Sequence, residues 1–594
     1  MNRLLPAPAG IKPVTYRFRD LRLKADGTLL RGETVLKLPA QELALLRALL
    51  SRSGEVVSAS ELSRALWGDP HPDSHRLQEC LASLKNILQT SDCIENIYRR
   101  GFRISAIAEP DGQLTPQSLP RLAILPFSTG YDVPDYLGLA LAEQTMEQLR
   151  SARPAIASVA ARDSVQTLTR RGLARQEIGK MLDAEMLLAG QLLATPGRHR
   201  LRVEMIRVED SAPLWVEDLI VEREQIAELA GELVSRVTSR LHGGGISIHA
   251  GAAPAVKSGS SRTEREAQDL YLRARHEWQN MERHSMQDAM GRLLRVIELD
   301  QALFAARVDL AQLAVLQCIY GYLSPRIAAA TVRRAADGIP ELNEQAVALL
   351  PALAWVEFHF DRDARSALQM MARSEGLTYD LNHTRVRVWL LLSLHRFGEA
   401  SELLRAALEL DPYSSWLHAG LAWTLHLAGE RDASVAQARK ILDAFSDYDK
   451  SLFIATMILG YNGEAERAIE VAKTLSGRAS HSDIATAVRA YALACAGRHE
   501  ESRHLLERLQ WLSRERFVLN TLNAATYVVL GEADAAFAEL RTANETRCPW
   551  FFHMLADPRL KPLHGRPEFA ALQASLPAAQ AGAARDSERS EPAR

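Results

Sequence analysis

The sequence predicts a multidomain chain with an α+β domain first, a small α/β domain in the centre and an all-α solenoid last. Three observations predict this order. Residues 1–108 combine alternating apolar positions with three amphipathic helices. Residues 119–241 follow the pattern β-α-β-α-β-β-α, and residues 264–576 are helical with an internal repeat. We expect a flexible linker over residues 242–263 and a disordered tail over residues 577–594.

Composition favours a cytoplasmic protein with a polyanionic partner. The net charge is −2, but residues 1–108 contain 16 Lys and Arg against 11 Asp and Glu, whereas the remainder is acidic. A basic domain on an acidic body indicates a polyanion as its partner. The five cysteines have neither metal-ligand spacing nor a disulfide framework. We find no signal peptide and no apolar stretch long enough to span a membrane, so we expect no membrane contact.

The helical part repeats every 34 residues. The period is marked by glycines at Gly429, Gly463, Gly497 and Gly531. It is also marked by small residues at Ala400, Ser434, Ala468, Ser502 and Ala536. Glycine tolerates the positive φ of a tight turn, and a small side chain lets two helices cross closely. This pattern resembles the tetratricopeptide repeat, whose solenoids bind partners on a concave surface. The resemblance implies a protein or a small effector bound to the array, and we assign Trp389, Trp416 and Trp423 to its core.

The N-terminal domain begins with short strands and continues with helices. Residues 14–39 alternate between apolar and polar and predict a small antiparallel sheet. Residues 40–52 form an amphipathic helix. Ser58 and Glu61 then form a capping box, which predicts the start of a second helix that ends near Trp67.

A third helix and a hairpin complete this domain. The helix is predicted over residues 74–89, because leucines recur at helical spacing, at positions 77, 81, 84 and 88. Its opposite face is polar. Residues 94–104 alternate again and predict a β-hairpin.

The order of these elements resembles the winged helix-turn-helix of the OmpR/PhoB family of bacterial transcription factors over residues 14–107. The residues that carry the resemblance are Leu38, Glu42, Leu45, Leu46, Gly54, Val57, Ser58, Leu62, Trp67, Gly68, Leu81, Leu84, Lys85, Ile94, Ile97, Gly101, Phe102 and Arg103. The resemblance implies that the third helix enters the major groove of double-stranded DNA and that the hairpin, or wing, reaches the adjacent minor groove.

Positions that match the family's DNA-facing residues follow from this resemblance. They are His75, Arg76, Gln78, Glu79, Ser83, Lys85, Asn86, Arg99, Arg100 and Arg103. The loop that carries Trp67, Gly68, Asp69 and His71 would contact RNA polymerase. Guanidinium groups suit phosphates and narrow minor grooves, and amides read adenine edges. The chain departs from the family at Pro39, where a threonine is usual, and at Ala82 and Ser83, where two arginines are common.

The central domain resembles the TolB-N-terminal-like α/β module, which is not catalytic in chains that place it before tetratricopeptide repeats. The resemblance rests on Leu188, Gly190, His199, Leu201, Arg202, Val203, Leu214 and Trp215. We predict strands over 122–127, 156–159, 184–188, 199–207 and 214–217, and helices over 135–149 and 176–182. We expect a docking spacer, and a small-ligand site here stays open.

No motif for catalysis, cofactor or metal binding is present. His276-Glu277 lacks the second histidine of a zinc-protease motif, and neither a phosphate loop nor a nucleophile elbow occurs. We therefore expect no enzyme, no cofactor and no metal site.

The combination of domains resembles the HilA-like family of bacterial transcription regulators. It implies a sequence-specific DNA-binding activator whose array binds a partner or effector, and a homodimer on tandem DNA half-sites. A scaffold that uses the winged helix for protein contacts is the alternative. A cyclase-type signalling enzyme is remote, because 108 residues are too few for its catalytic domain.

Overall fold

The computed structural model describes most of the chain, which divides into two compact units, Met1–Leu119 and Pro120–Arg594. The described residues are 14–18, 21–23, 29–31, 34–36, 38–50, 57–67, 74–88, 94–97, 101–104, 107–110, 119–151, 157–222, 229–241, 261–278, 282–339, 347–374, 381–478 and 482–577. The predicted sequence of α+β, α/β and all-α parts is confirmed.

The first unit contains a five-stranded antiparallel sheet, three helices and a separate hairpin. Its elements are β1 (Val14–Phe18), β2 (Leu21–Leu23), β3 (Leu29–Arg31), β4 (Thr34–Leu36), α1 (Ala40–Leu50), α2 (Ala59–Trp67), α3 (Ser74–Leu88), β5 (Ile94–Ile97), β6 (Gly101–Ile104) and β7 (Ile107–Pro110). The strand order is β4-β3-β2-β1-β7, and β5 pairs with β6. The sequence did not predict β7, which pairs with β1 and places Val14 opposite Pro110.

The central domain opens the second unit. Its elements are β8 (Arg121–Ile124), β9 (Ser128–Thr129), α4 (Asp135–Ser151), β10 (Ser158–Val159), α5 (Arg162–Arg170), α6 (Arg175–Met181), β11 (Met186–Thr195), β12 (Arg198–Arg207), β13 (Pro213–Glu222) and α7 (Leu229–Leu241). The sheet order is β10-β8-β11-β12-β13, and β9 also pairs with β11. Strands β10, β8 and β11 are parallel, whereas β11, β12 and β13 are antiparallel.

Two predictions for this domain need correction. The strand expected over 184–188 runs over Met186–Thr195 and pairs along its length with β12. Helix α5 was not predicted at all. Its buried face combines Ser164 and Thr167 with Val165 and Leu168, so half of the residues that it buries are polar. Only two of its nine residues, Val165 and Leu168, are apolar, which is too few to mark a helix in the sequence, although the face packs well where the hydroxyls find partners.

The helical array follows the central domain. Its helices are Arg262–Trp278, Arg283–Leu299, Phe304–Ile319, Pro325–Ala336, Leu350–Val356, Ala364–Arg373, Leu381–Ser393, Phe397–Leu410, Ser415–Leu427, Arg431–Ala444, Asp449–Tyr461, Ala465–Arg478, Asp483–Cys495, His499–Leu512, Asn520–Val529, Ala533–Glu545, Phe551–Met554 and Pro567–Gln573, with a π-helical turn at Glu357–Asp361 and a 3-10 helix at Pro558–Leu563. The last two residues of the predicted linker already belong to the first of these helices. Residues 242–260 of that linker, and residues 578–594 of the predicted tail, lie outside the described residues.

The repeat positions behave as their spacing predicts. Each of the four periodic glycines has a positive φ, between 74° and 90°. The five small residues of the period are fully buried where helices cross. One period before Gly429 the same turn is occupied by His395, with a φ of 58°. Its Nε2 lies 2.9 Å from the carbonyl oxygen of Phe552, a partner that glycine would not have. The periodic glycine is therefore missing at position 395, although the backbone there still makes the left-handed turn between helices.

The central domain docks on the array through α5. The Asp411 carboxylate, in the turn after Phe397–Leu410, accepts hydrogen bonds from the amide of Ser164 at 3.0 Å and from its hydroxyl at 2.5 Å. The Ser164 oxygen also accepts a bond from the amide of Tyr413 at 2.9 Å. One helical turn further along α5, the hydroxyl of Thr167 lies 2.9 Å from that of Tyr448. These contacts join the two domains into one unit.

The C-terminal segment, residues 548–563, closes the array on itself. The indole of Trp550 donates a hydrogen bond at 2.8 Å to the carbonyl of Ile319, which lies 231 residues earlier. Further along the segment, the buried Asp557 accepts from Arg559 at 2.7 Å and lies 3.2 Å from the His426 ring nitrogen. Arg559 holds the pKa of the Asp557 carboxyl below its usual range. The segment thus fills part of the inner face that an open solenoid leaves free.

The docking contact predicts a pH dependence of stability. Burial and the neighbouring Asp163 raise the pKa of Asp411 to about 7, from 3.8. A carboxyl whose pKa is raised on folding stabilises the fold when protonated, and this stabilisation is lost as pH rises through the folded pKa. We expect the second unit to lose about 1 kcal/mol between pH 6 and pH 8 through this group.

The measurement is urea denaturation of the full chain at both pH values, with the Asp411→Asn variant beside it. Asparagine mimics the protonated acid, so the pH difference between chain and variant isolates Asp411. An equal pH dependence in both proteins would contradict the assignment.

Candidate nucleic-acid interface

Helix α3 is held against the first unit by one apolar face. Leu77, Leu81, Leu84 and Leu88 are all buried, as the leucine spacing predicted, and so is Cys80. They pack with Leu45, Leu46 and Leu49 of α1. Because this apolar face is buried, the opposite face of α3 points outward.

The outward face of α3 carries the predicted DNA-facing side chains. Arg76, Gln78 and Glu79 are exposed, and Lys85 is half-buried. Ser83 differs from them, because its hydroxyl donates a 2.7 Å hydrogen bond to the Glu42 carboxylate of α1. That bond ties α3 to α1, in addition to the packing of the leucines. This contact was not predicted, because the two residues lie 41 positions apart and no local pattern links them.

The hairpin of β5 and β6 is anchored to the start of α2. The amide and carbonyl of Val57 exchange hydrogen bonds of 2.9 Å with the carbonyl and amide of Phe102. This approach requires Gly101, whose φ is +137° and where a Cβ would lie 2.1 Å from the Val57 carbonyl oxygen. The predicted capping box is present as well, since the Ser58 amide donates to Glu61 at 2.9 Å. The Val57–Phe102 contact thus holds the hairpin against the start of α2.

Several predicted residues are placed only in part. His75 and Asn86 lie on α3, and Arg103 lies on β6 opposite Glu95, but their side chains are outside the described part of the chain. Trp67 is the last residue of α2, again without a described side chain. The remaining predicted positions, Arg99, Arg100, Gly68, Asp69 and His71, lie outside the described residues.

The described residues contain no group of three or more His, Cys, Asp or Glu side chains that could hold a metal ion. Within the same residues, no helix is long and apolar enough to cross a membrane. The geometry that the first unit offers is an exposed polar helix face beside an anchored hairpin, which suits a groove of double-stranded nucleic acid.

Comparison with known families gives two matches. Residues 32–104 match the family described as "Transcriptional regulatory protein, C terminal". Residues 117–237 match the family described as "HilA/YgeH-like transcriptional regulator, second domain". The first match covers the three helices and the hairpin, and the second covers the central domain from β8 into α7.

Individual proteins match over nearly the whole chain. "Transcriptional regulator HilA" of Salmonella typhimurium is 24% identical over 94% of this chain and 99% of its own length. The protein of the same name from Salmonella typhi matches with the same identity and coverage. Among solved structures, TolB from Acinetobacter baumannii covers 21% of this chain and 29% of its own, with 15% identity and a TM-score of 0.16. A tetratricopeptide repeat protein from Parabacteroides merdae covers 52% of this chain and 99% of its own, with 11% identity and a TM-score of 0.21.

The anchoring of the wing gives a prediction. Gly101→Ala forces a Cβ into the Val57 carbonyl at a positive φ, so we expect a local loss of at least about 2 kcal/mol. Hydrogen–deuterium exchange of the full chain would show faster exchange at the Val57 and Phe102 amides. The matched control is Gly172→Ala in the central domain, where φ is +70° and a Cβ would meet nothing within 4 Å. Unchanged protection in Gly101→Ala would show that the bridge does not hold the wing.

Proposed function

We propose that this chain, a DNA-binding transcription regulator of OmpR/PhoB type that is HilA-like along its length, reads a specific DNA sequence through α3 and activates transcription. The observation that carries the proposal is the outward face of α3, which combines exposed Arg76, Gln78 and Glu79 over a fully buried leucine stripe. A rigid helix with such a face is the element that enters a major groove. A regulator of this kind acts on the chromosome, which places it in the cytoplasm of a bacterium.

The side chains of α3 divide by chemistry into base readers and phosphate binders. Gln78 and Asn86 carry amides, which bond the N6 and N7 atoms of adenine. Arg76, His75 and Lys85 are suited to phosphates, and Glu79 accepts from the amino group of cytosine. Ser83 supports the interface from inside, because its hydroxyl is bonded to Glu42.

The wing supplies the second contact. Arg99, Arg100 and Arg103 are proposed to enter the minor groove, where a narrow groove attracts arginine. The anchoring of Phe102 to Val57 supports this role, because it fixes the hairpin relative to α2. We propose that two copies of the chain occupy tandem half-sites about one helical turn apart.

The loop between α2 and α3 is the proposed contact with RNA polymerase, through Trp67, Gly68, Asp69 and His71. It joins the Trp67 end of α2 to the Ser74 start of the recognition helix. The second unit is proposed to receive the signal, either a protein or a small effector, and we assign no catalytic role to either unit.

Loss of a phosphate contact provides the test of DNA binding. Arg76→Ala is expected to weaken binding of operator and random duplex alike and to reduce the slope of log affinity against log salt by about 0.9. Gln78→Ala should instead cost about 1–3 kcal/mol on the operator and relax its sequence preference. Fluorescence anisotropy of the full chain, with duplexes selected from genomic fragments, measures both.

The matched control is Arg405→Ala, since Arg405 is exposed on a helix of the second unit. Identical salt slopes for the chain, Arg76→Ala and Arg405→Ala would count against α3 as the DNA-contacting helix. Absence of any salt-dependent binding would favour the protein-contact alternative for the winged helix.

A second test separates DNA binding from activation. Asp69→Ala should leave duplex affinity unchanged and lower transcription from a bound promoter by about tenfold, which corresponds to about 1.4 kcal/mol of lost contact. Transcription in vitro with purified polymerase measures this, with Asp288→Ala on the array as control. Full activity of Asp69→Ala would remove this residue from the polymerase contact.

A further inference from the structure

The second unit encloses a large chamber between the central domain and the array. Its volume is about 1430 Å³, larger than the roughly 300–1,000 Å³ of most small-molecule sites. Its walls are formed by α4 and α5 of the central domain and by many of the helices of the array. Trp389, Trp416 and Trp423, which the sequence assigned to the core, all border it.

The C-terminal segment limits what this chamber can receive. Trp550 lies in the chamber wall, 5.2 Å from the ring of Trp389 and 5.8 Å from that of Trp423, between ring centroids. Its bond to Ile319 joins the two ends of the array. The inner face, which in an open solenoid binds an extended peptide, is therefore partly filled by the chain itself. The remaining space suits a compact ligand.

One wall of the chamber combines cations with aromatic rings. We call Arg283, Tyr320, Tyr322, Arg385, Trp416 and Lys450 the aromatic–cationic cluster. The Lys450 nitrogen lies 4.7 Å from the ring centroids of both Tyr320 and Tyr322. The Arg283 guanidinium lies 4.8 Å from the Tyr322 ring, and that of Arg385 lies 5.3 Å from Trp416. Rings of this kind stack on planar groups, and the cations supply positive charge beside them.

Lys450 differs from Arg283 in how its charge is compensated. Its ammonium donates a hydrogen bond to the Tyr322 hydroxyl. Arg283, by contrast, is paired with Asp483 at 2.8 Å. The carboxylates of Asp449 and Glu282 raise the pKa of Lys450 from a distance, but among the described residues neither forms an ion pair with it. Burial lowers the pKa of Lys450 to about 8, so the charged amine is present at neutral pH in a desolvated position.

Several of the acidic residues that border the chamber are engaged by other groups. Glu147 is bound by Arg275 at 2.6 Å, and Asp449 lies 3.6 Å from Arg478. Asp411 is held by Ser164 in the docking contact. Glu282 also borders the chamber and acts on the charge of Lys450, but it lies beyond ion-pair distance. The remaining donors of the Lys450 ammonium therefore suit a negative group from outside the chain.

We propose that the chamber binds a small organic anion with a planar ring, whose carboxylate or phosphate pairs with Lys450 while its ring packs on Tyr320 and Trp416. This inference deepens the proposal that the second unit receives the signal, and it names the chemistry of that signal. Its test needs no DNA, so the two proposals fail separately.

Two matched pairs of probes test the charge and the source of the anion. Indole-3-acetate and tryptamine share a ring but have opposite charges, whereas adenosine monophosphate and adenosine differ only in the phosphate. We expect isothermal titration of the full chain to show binding of one anion and at least tenfold weaker binding of its non-anionic counterpart. The carboxylate binding alone would identify an aromatic acid, and the phosphate binding alone would identify a nucleotide-like ligand.

Substitutions place the site. Lys450→Met should weaken binding of the anion at least tenfold, and Arg385→Gln serves as a second variant in case the first fails to fold, which thermal unfolding reveals. Lys473→Met, on an exposed array position outside the chamber, should bind as the unchanged chain does. The proposal is overturned if neither anion binds, or if tryptamine or adenosine binds as tightly as its anionic counterpart. It is also overturned if the folded Lys450→Met and Arg385→Gln variants bind the anion as tightly as Lys473→Met does. Duplex binding without ligand binding would overturn this inference alone.

Discussion

The second unit depends on the closure of the array by its own C-terminal segment. Trp550 bonds to Ile319 across 231 residues of sequence, and the buried pair of Asp557 and Arg559 fixes the same segment beside His426. A buried ion pair gains little over apolar packing, but it is costly to break, because the remaining charge would be left without a partner. The pair therefore specifies where the segment lies, while the aromatic side chains around Trp550 add apolar packing.

The tetratricopeptide-like pattern accounts for the packing of neighbouring helices but not for the closure of the array. The periodic glycines and small residues determine how neighbouring helices turn and cross, and they do so in this chain as the 34-residue spacing predicts. They do not determine whether the array stays open. That outcome rests on contacts between its two ends, together with the docking of Ser164 on Asp411, which places the central domain beside the chamber. The central domain thus forms part of the chamber wall as well as docking on the array.

The N-terminal domain was predicted more fully than the second unit, and the reason is the range of the contacts. The leucine stripe of α3 and the capping box of Ser58 and Glu61 are local patterns, visible within a few turns of sequence. The bond of Ser83 to Glu42 and the strand β7 depend on tertiary pairing, so spacing alone does not show them. Helix α5 was missed because only two of its nine residues are apolar, and its buried hydroxyls are recognised only through partners far away in the sequence.

The two proposed sites differ in how their specificity is built. The proposed DNA-facing residues come from one helix and one hairpin of the first unit, so a change at exposed Gln78 is expected to alter the sequence that is read without affecting the core beneath it. The chamber gathers Tyr320, Arg385 and Lys450 from helices far apart in sequence. A change there acts on the ligand and on the packing of the array together, because the same rings that would stack on the ligand also cover the cations. Target sequence and ligand chemistry can therefore change independently of one another, since no residue belongs to both sites.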